Sequence, residues 1–186
     1  MPCNDDTRYD VPLLTHKRIS MLMINADDWG LNKHTTDNCS ACYKNGGITS
    51  VSAMVLMEDS VRASVLALDA HIPTGLHLNF TKGFDARGVP AALNRHHQYV
   101  SSYLLKNRYT FLFYNPILRN HFDYVYKAQV DEYVRLYNSI PQHVDGHHHM
   151  HLCMNMMIDG TFPRGSRVRR NFTFAPGEKS RFNRFY

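Results

Sequence analysis

Apolar and polar positions along the chain group into short blocks that predict four strands. Residues 18–24, RISMLMI, form an almost continuous apolar run, which is typical of a strand covered on both faces. We expect this first strand to end at Asn25. Residues 48–56 are rich in β-branched side chains and predict a second strand. The same reasoning predicts a third strand at residues 75–80 and a fourth at 142–146.

Helical spacing of apolar side chains predicts three helices between these strands, over residues 34–44, 60–70 and 122–137. In the second of them, the apolar residues Val61, Val65 and Leu68 recur at helical spacing. The stretch from 81 to 116 has little periodicity, and we interpret it as a long connection that contains one helix. Each predicted strand is therefore followed by a segment that can cross over to the next.

Strands that alternate with helices favour parallel βα units, and hence an α/β fold whose sheet is either open or closed into a barrel. A fifth strand is a candidate at residues 167–174. A length of 186 residues is that of one domain. We therefore predict a single domain over residues 1–186, with an amino-terminal extension at 1–17 and a basic tail at 164–186.

The charge distribution bears on the kind of partner. Of the 21 Lys and Arg residues behind the net charge of +5, seven lie in the basic tail beside one acid, so the rest is nearly neutral. This weakens a nucleic-acid-binding interpretation. The tail is either a solvated face or a site for the phosphate of a phosphorylated sugar. No run approaches the roughly 18 apolar residues of a membrane helix. The first 20 residues lack the pattern of a secretory signal, so we expect a cytoplasmic protein.

Residues that can bind a metal ion fall on or just after three predicted strands. Asp27 and Asp28 follow the first, His77 lies on the third and His147 follows the fourth. In α/β folds these strand ends meet at one edge of the sheet. One carboxylate with two imidazoles suits a divalent ion such as Zn²⁺, Mn²⁺ or Fe²⁺. A neighbouring second carboxylate can act as a general base, so the sequence predicts a metal-dependent hydrolase.

Each feature taken alone also has a purely structural explanation. An Asp-Asp pair after a strand commonly caps a helix, and a single histidine commonly packs in a core. The run at residues 147–151 is different, because four histidines within five residues are a compositional sign of metal binding. The joint occurrence of all three features favours the functional interpretation.

Four stretches of the chain resemble the YdjC-like carbohydrate deacetylases, which include the chitooligosaccharide deacetylases. They are INADDWG at residues 24–30, GGITS at 46–50, GLHLN at 75–79 and PQHVDGHHHMH at 141–151. They occur in the order of the family and extend over residues 18–153. The resemblance implies a distorted (β/α) TIM-like barrel related to the polysaccharide deacetylases.

The resemblance also implies a reaction and its residues. One divalent ion, usually Mg²⁺, would be held by Asp28, His77 and His147, and Asp27 would be the catalytic base. The neighbours His148, His149 and His151 would support these ligands. The implied reaction is hydrolysis of the acetamido group of an N-acetylated amino sugar or chitooligosaccharide to acetate and a free amine. The partner is then the sugar, with no membrane or nucleic acid, and a homodimer is an open alternative.

The chain departs from the family in two ways. Members are typically longer and carry a late strand with a His-Pro pair that contributes to the site, and Gly146 stands where Ser is usual. We therefore expect a shortened, incomplete barrel. One alternative is a catalytically inactive form that binds metal, sugar or a protein partner. Another is a phosphoesterase, although two-metal versions generally need more carboxylate ligands.

Overall fold

The computed structural model describes residues 22–170, and these contain one sheet of four parallel strands in chain order. The strands are β1 (Asn25–Trp29), β2 (Ser50–Ala53), β3 (Thr74–Leu78) and β4 (Val144–Gly146). Each pairs with its successor in parallel. The predicted α/β fold is confirmed.

Helices connect these strands. The structure has α1 (Lys33–Lys44), α2 (Ser60–Asp69), α3 (Ala91–Leu104), α4 (Arg119–Tyr137) and a short α5 (Met154–Ile158). The three predicted helices correspond to α1, α2 and α4, and α3 lies in the predicted long connection. Three 3₁₀ turns complete the described part, at Thr110–Leu112, Pro116–Leu118 and His147–Leu152. Among residues 22–170, no helix combines the length and apolar content needed to cross a membrane.

One face of the sheet packs against the helices. The strand residues Val51, Ala53, Leu76, Leu78 and Val144 belong to a single buried apolar cluster with side chains of α2, α3 and α4. Helix α4 is also held by a hydrogen bond, because the Tyr133 hydroxyl donates to the Thr74 carbonyl at 2.9 Å. Each fully buried apolar side chain stabilises the fold by about 1.5–3 kcal/mol. This face therefore holds the core.

The opposite face of the sheet is polar, because side chains alternate between faces along a strand. Ser50 Oγ donates to Asn25 Oδ1 at 2.7 Å, and Asn25 Nδ2 donates to Ser52 Oγ at 2.8 Å. Ser52 Oγ in turn donates to Asp145 Oδ2 at 2.8 Å. These bonds connect β1, β2 and β4 across the face and satisfy groups that would be costly to bury unpaired.

The predicted end of the first strand at Asn25 is wrong, whereas residues 18–21 of the predicted strand lie outside the described residues. Residues 22–24 precede β1, and Leu22 and Met23 are 79% and 60% exposed. The strand instead has the sequence NADDW, so Asp27 and Asp28 lie within it rather than after it. An apolar run indicates a strand only if both faces are covered by apolar groups. Here one face is polar and is satisfied by hydrogen bonds, which the apolar pattern does not reveal.

Other boundaries differ by a few residues. The second and fourth strands, predicted at 48–56 and 142–146, are shorter. Of the candidate strand at 167–174, Val168 forms one parallel bridge with Val144, and residues 171–174 lie outside the described part. The extension at 1–17 and the rest of the basic tail lie outside it as well.

The apolar stripe noted in α2 is not its buried face. Val61, Val65 and Leu68 are 59%, 52% and 42% exposed. The buried residues of this helix are Ser60, Ala63, Ser64 and Ala67. Small side chains on this face let the helix lie close to the end of β1, where Trp29 Nε1 donates to the Ala63 carbonyl at 3.1 Å.

Candidate metal centre

The two aspartates of the site lie in an irregular part of β1. The pairing of β1 with β2 shifts register between Ala26 and Trp29, and Asp28 has a left-handed φ of 63°. In a regular strand, neighbouring side chains point to opposite faces, but a bulge redirects one of them. As a result, Asp27 contacts Arg169, and Asp28 contacts His77 and His147.

Asp28, His77 and His147 come together at the carboxyl ends of β1, β3 and β4. Asp28 Oδ1 lies 3.2 Å from His77 Nε2 and 2.9 Å from His147 Nδ1. One ligand atom from each of the three lies within 4.8 Å of the others. The His77 side chain is 3% exposed and that of Asp28 30%, so the group opens to solvent on the Asp28 side. This donor set fits a divalent ion with room for further ligands.

Burial disfavours charge on both Asp28 and His77, but their hydrogen bonds outweigh it. Bonds to His147 and His77 hold the pKa of Asp28 well below its usual range despite burial. Bonds to Asp145 and Asp28 raise the pKa of His77 to about 9 against the effect of burial. With only these partners, Asp28 is ionised and His77 protonated at neutral pH. A metal ion that binds His77 Nε2 must therefore displace a proton.

Asp145 orients the His77 ring by a contact with its Nδ1. This fully buried carboxylate places Oδ1 2.8 Å from His77 Nδ1. Burial favours its neutral form, but the hydrogen bond to His77 and the nearby Arg169 charge hold the pKa of Asp145 below its usual range. A carboxylate on one imidazole nitrogen turns the other towards a ligand position, as in carboxylate–histidine–metal triads. His77 Nε2 therefore faces Asp28.

Arg169, which follows β4, links the two outer strands of the sheet. Its Nη1 and Nη2 donate to Asp27 Oδ2 and Oδ1 at 2.7 and 2.8 Å, a bidentate pair. Nη2 also lies 2.7 Å from Asp145 Oδ2. Since Asp27 belongs to β1 and Asp145 to β4, a single guanidinium spans the polar face.

A second group of potential ligands consists of Asp27, His77 and Asp145, whose atoms also lie within 4.8 Å of one another. The Arg169 guanidinium already contacts both of these carboxylates. A fixed positive charge there opposes a metal cation. The group of Asp28, His77 and His147 is therefore the better candidate.

The three later histidines of the run have different surroundings. His148 is exposed, its ring centroid is 4.1 Å from that of His147, and its Nδ1 is 3.1 Å from Thr81 Oγ1. His151 is fully buried, and its Nε2 lies 3.0 Å from the Arg169 carbonyl oxygen. His149 is exposed, with its ring 6.4 Å from that of His151. Within the run, His148 thus lies directly beside a candidate ligand.

The structure brings all four predicted site residues into one region, with Asp27 beside the candidate ligands. Two residues that the sequence reasoning overlooked are Asp145 and Arg169. Asp145 had a signal, because His143, Asp145 and His147 alternate as residues on one face of a strand do. Arg169 had none beyond its place in the basic tail, since its partner Asp27 is 142 positions away.

Comparison with known proteins gives a family model described as YdjC-like protein, which matches residues 21–182. The chain is 29% identical over 133 residues to a chitooligosaccharide deacetylase of Proteus mirabilis, covering 71% of this chain and 50% of that protein. It is 27% identical over 141 residues to a carbohydrate deacetylase of Danio rerio, covering 70% and 42%. The chain thus spans about half the length of these curated relatives.

A solved structure from Enterococcus faecalis V583, provisionally described as a cellobiose-phosphate cleavage protein, is similar in fold. The TM-score is 0.51 at 20% identity, over 69% of this chain and 49% of that one. At this identity the likeness concerns the fold alone.

Proposed function

This chain belongs to the YdjC-like family, and from that premise we propose that it is a metal-dependent carbohydrate deacetylase. The substrate is an N-acetylated amino sugar or chitooligosaccharide, and the products are acetate and a free amine. The observation that carries the proposal is the convergence of Asp28, His77 and His147 next to a second carboxylate, Asp27. The deacetylase names of the relatives give the reaction class.

Asp28, His77 and His147 are the proposed ligands of one divalent ion. When bound, the ion supplies a Lewis acid that polarises the acetamide carbonyl and favours ionisation of water. Family resemblance points to Mg²⁺, whereas two imidazole ligands suit Zn²⁺ or Mn²⁺ better. Asp145 keeps His77 Nε2 turned towards this position, because it binds the opposite nitrogen of the ring.

Asp27 is the proposed general base. Its carboxylate accepts two hydrogen bonds from Arg169 and one from Asn25 Nδ2 at 2.9 Å. An ionised carboxylate has about four acceptor positions, so one remains for the proton of an attacking water. The side chain is 39% exposed, which lets water reach it. The departing amine must be protonated to leave, and the proton donor is either protonated Asp27 or a histidine.

We further propose that the sheet is part of a TIM-like barrel. Strands β1 to β4 run in chain order with a single apolar cluster joining them to the helices. Arg169 contacts both outer strands at once, which requires strong curvature of the sheet. The polar face would then line the barrel interior, where alternating residues of each strand point.

The test is acetate release from di-N-acetylchitobiose after chelation, with Mg²⁺, Mn²⁺ or Zn²⁺ added back. We expect metal-dependent release that His77→Ala abolishes. We expect Asp27→Asn to lower kcat by at least about 100-fold while metal still binds, because the variant lacks the general base. Normal turnover by Asp27→Asn would exclude Asp27 as the base. Metal binding without turnover by the unaltered chain would favour the catalytically inactive alternative.

A further inference from the structure

We propose that His148 binds the sugar, through a hydrogen bond between its Nε2 and a ring hydroxyl next to the acetamido group. This inference rests on the deacetylase function proposed above and adds a substrate-binding residue to the same site. Three observations support it: a strained backbone, a fixed ring and a free ring nitrogen beside a candidate ligand.

The backbone at His148 is left-handed, with φ 55° and ψ 22°, and His149 follows with φ 59° and ψ 18°. Left-handed backbone is routine for glycine and uncommon for all other residues, although Asn, Asp and His adopt it more often than the rest. Glycine at either position would form the same turn with less strain. Strained residues cluster at functional sites, where the unusual backbone positions a side chain for its role.

The His148 ring is held in place by contacts on two sides. The His147 ring lies 4.1 Å away between centroids at 34°, and Thr81 Oγ1 lies 3.1 Å from His148 Nδ1. Thr81 belongs to a rigid turn, because Asn79 Oδ1 accepts hydrogen bonds from the backbone N–H groups of Thr81 and Lys82. Asn79 is fully buried, and Gln129 of α4 bonds both its N–H and its carbonyl.

The remaining ring nitrogen of His148, Nε2, can form a hydrogen bond with a sugar hydroxyl. His148 is exposed, and among residues 22–170 no hydrogen-bond partner of its Nε2 is found. The bond to Thr81 fixes which nitrogen faces outward, whichever of the two partners donates. A sugar hydroxyl both donates and accepts, so it matches Nε2 in either tautomer. The His148 ring lies 4.1 Å from the ring of the candidate ligand His147, so this nitrogen is close to the candidate metal site.

The experiment compares His148→Gly with a matched control, His71→Gly. His71 is also exposed and left-handed, with φ 51°, but it lies just before β3, at the opposite end of the sheet. KM and kcat for di-N-acetylchitobiose, its Kd, the Kd for Mn²⁺ and the melting temperature are measured for both variants. We expect KM and the sugar Kd of His148→Gly to rise about tenfold, with kcat within twofold, as for one lost hydrogen bond.

We expect neither variant to lose melting temperature, since glycine relieves the left-handed strain in both. His71→Gly should keep the unaltered KM. The inference is overturned if sugar binding by His148→Gly is unchanged, if its Mn²⁺ affinity falls as far as its sugar affinity, or if it alone melts several degrees lower. Sugar binding that weakens in His148→Gly although the unaltered chain releases no acetate would instead refute the proposed function and keep His148 as a sugar ligand.

Discussion

Among single residues, Arg169 stands out because it contacts two carboxylates that have different tasks. Its planar guanidinium forms a bidentate pair with Asp27 and also lies 2.7 Å from buried Asp145. Lysine offers the same charge but not the planar, bidentate geometry. The Arg169 side chain is 30% exposed, so the electrostatic part of its effect on stability is reduced by solvent. We propose that its main role is to orient Asp27.

Arg169→Lys should therefore lower kcat of acetate release by about tenfold, the loss expected for a misplaced catalytic group. The free energy of unfolding should fall by only about 1 kcal/mol, because the positive charge remains. Steady-state kinetics and urea unfolding measure the two effects. Arg167→Lys is the matched control, since Arg167 lies two residues earlier and contacts no carboxylate of the site. Equal losses in both variants would show that the effect does not come from the bidentate pair with Asp27.

Asp145 acts on the site through His77. Replacing it with Asn keeps the shape of the side chain but removes the ionised acceptor that holds His77 Nδ1. We expect Asp145→Asn to weaken Mn²⁺ binding by about 10–100-fold, as for other carboxylates that support a metal-binding histidine. Isothermal titration measures the change.

A control for Asp145→Asn is Asp159→Asn, which alters a carboxylate that is bonded to Tyr114 and belongs to neither group of potential ligands. This variant should bind Mn²⁺ as the unaltered chain does. Full Mn²⁺ affinity in Asp145→Asn would mean that His77 is oriented by its packing instead.

At the scale of elements, helix α2 shows that amphipathic spacing does not always identify the buried face. Val61, Val65 and Leu68 are exposed, while Ala63 and Ala67 pack inward at 0% and 2% exposure. Trp29 lies against this face, since its Nε1 donates to the Ala63 carbonyl at 3.1 Å. A Cβ atom added at Gly30 would already lie 3.4 Å from Ala63 Cβ. Close approach, not apolar content, decides the orientation of this helix.

Two substitutions in α2 test this orientation. Val65→Glu should change the free energy of unfolding by no more than about 0.5 kcal/mol, since Val65 is exposed. Ala63→Leu should lower it by about 1–3 kcal/mol, because Ala63 is fully buried and the added atoms would have to displace its neighbours. Urea unfolding measures both. The opposite ranking would mean that the valine face packs against protein in solution.

The 3₁₀ turn after β4 shows a similar constraint at Gly146. A Cβ atom there would lie 2.9 Å from Cβ and Nδ1 of His151, which is fully buried. A larger residue at position 146, such as the Ser that is usual in the family, would require His151 to shift. Gly146 therefore allows the inward position of His151. The turn then presents His147 and His148 towards the candidate metal site.

For the whole molecule, one buried histidine makes stability depend on pH. His97 of α3 is 4% exposed and packs 4.4 Å from the Phe84 ring. Burial lowers the pKa of His97 from 6.5 to about 4. Between these two values the unfolded chain binds a proton that the folded chain does not. The free energy of unfolding contributed by His97 is therefore intact above pH 6.5 and decreases as pH falls towards 4.

His97→Gln should remove this part of the acid sensitivity. From the two pKa values, the unaltered chain should lose about 3 kcal/mol of unfolding free energy between pH 6.5 and pH 4, on top of changes from other groups. Denaturant unfolding at several pH values gives the two slopes. A variant that keeps the full slope would assign the acid sensitivity to other residues.

Much of this architecture follows from the sequence by itself. The α/β class, three of the helices and the positions of Asp28, His77 and His147 at strand ends are local properties. They depend on periodicity and on short motifs, which act over a few residues. The parallel order of the strands follows as well, because helical crossovers between strands favour it.

Only the tertiary structure decided the rest. The true position of β1, the inward face of α2 and the contacts of Arg169 with Asp27 and Asp145 all depend on residues far apart in the chain. Asp27 and Arg169 are 142 positions apart, and no local pattern pairs them. A polar strand face can be buried when partners from other strands satisfy its hydrogen bonds, and such partners are specified by the fold. That physical reason explains why the sequence identified the candidate ligands but not the residues that orient them.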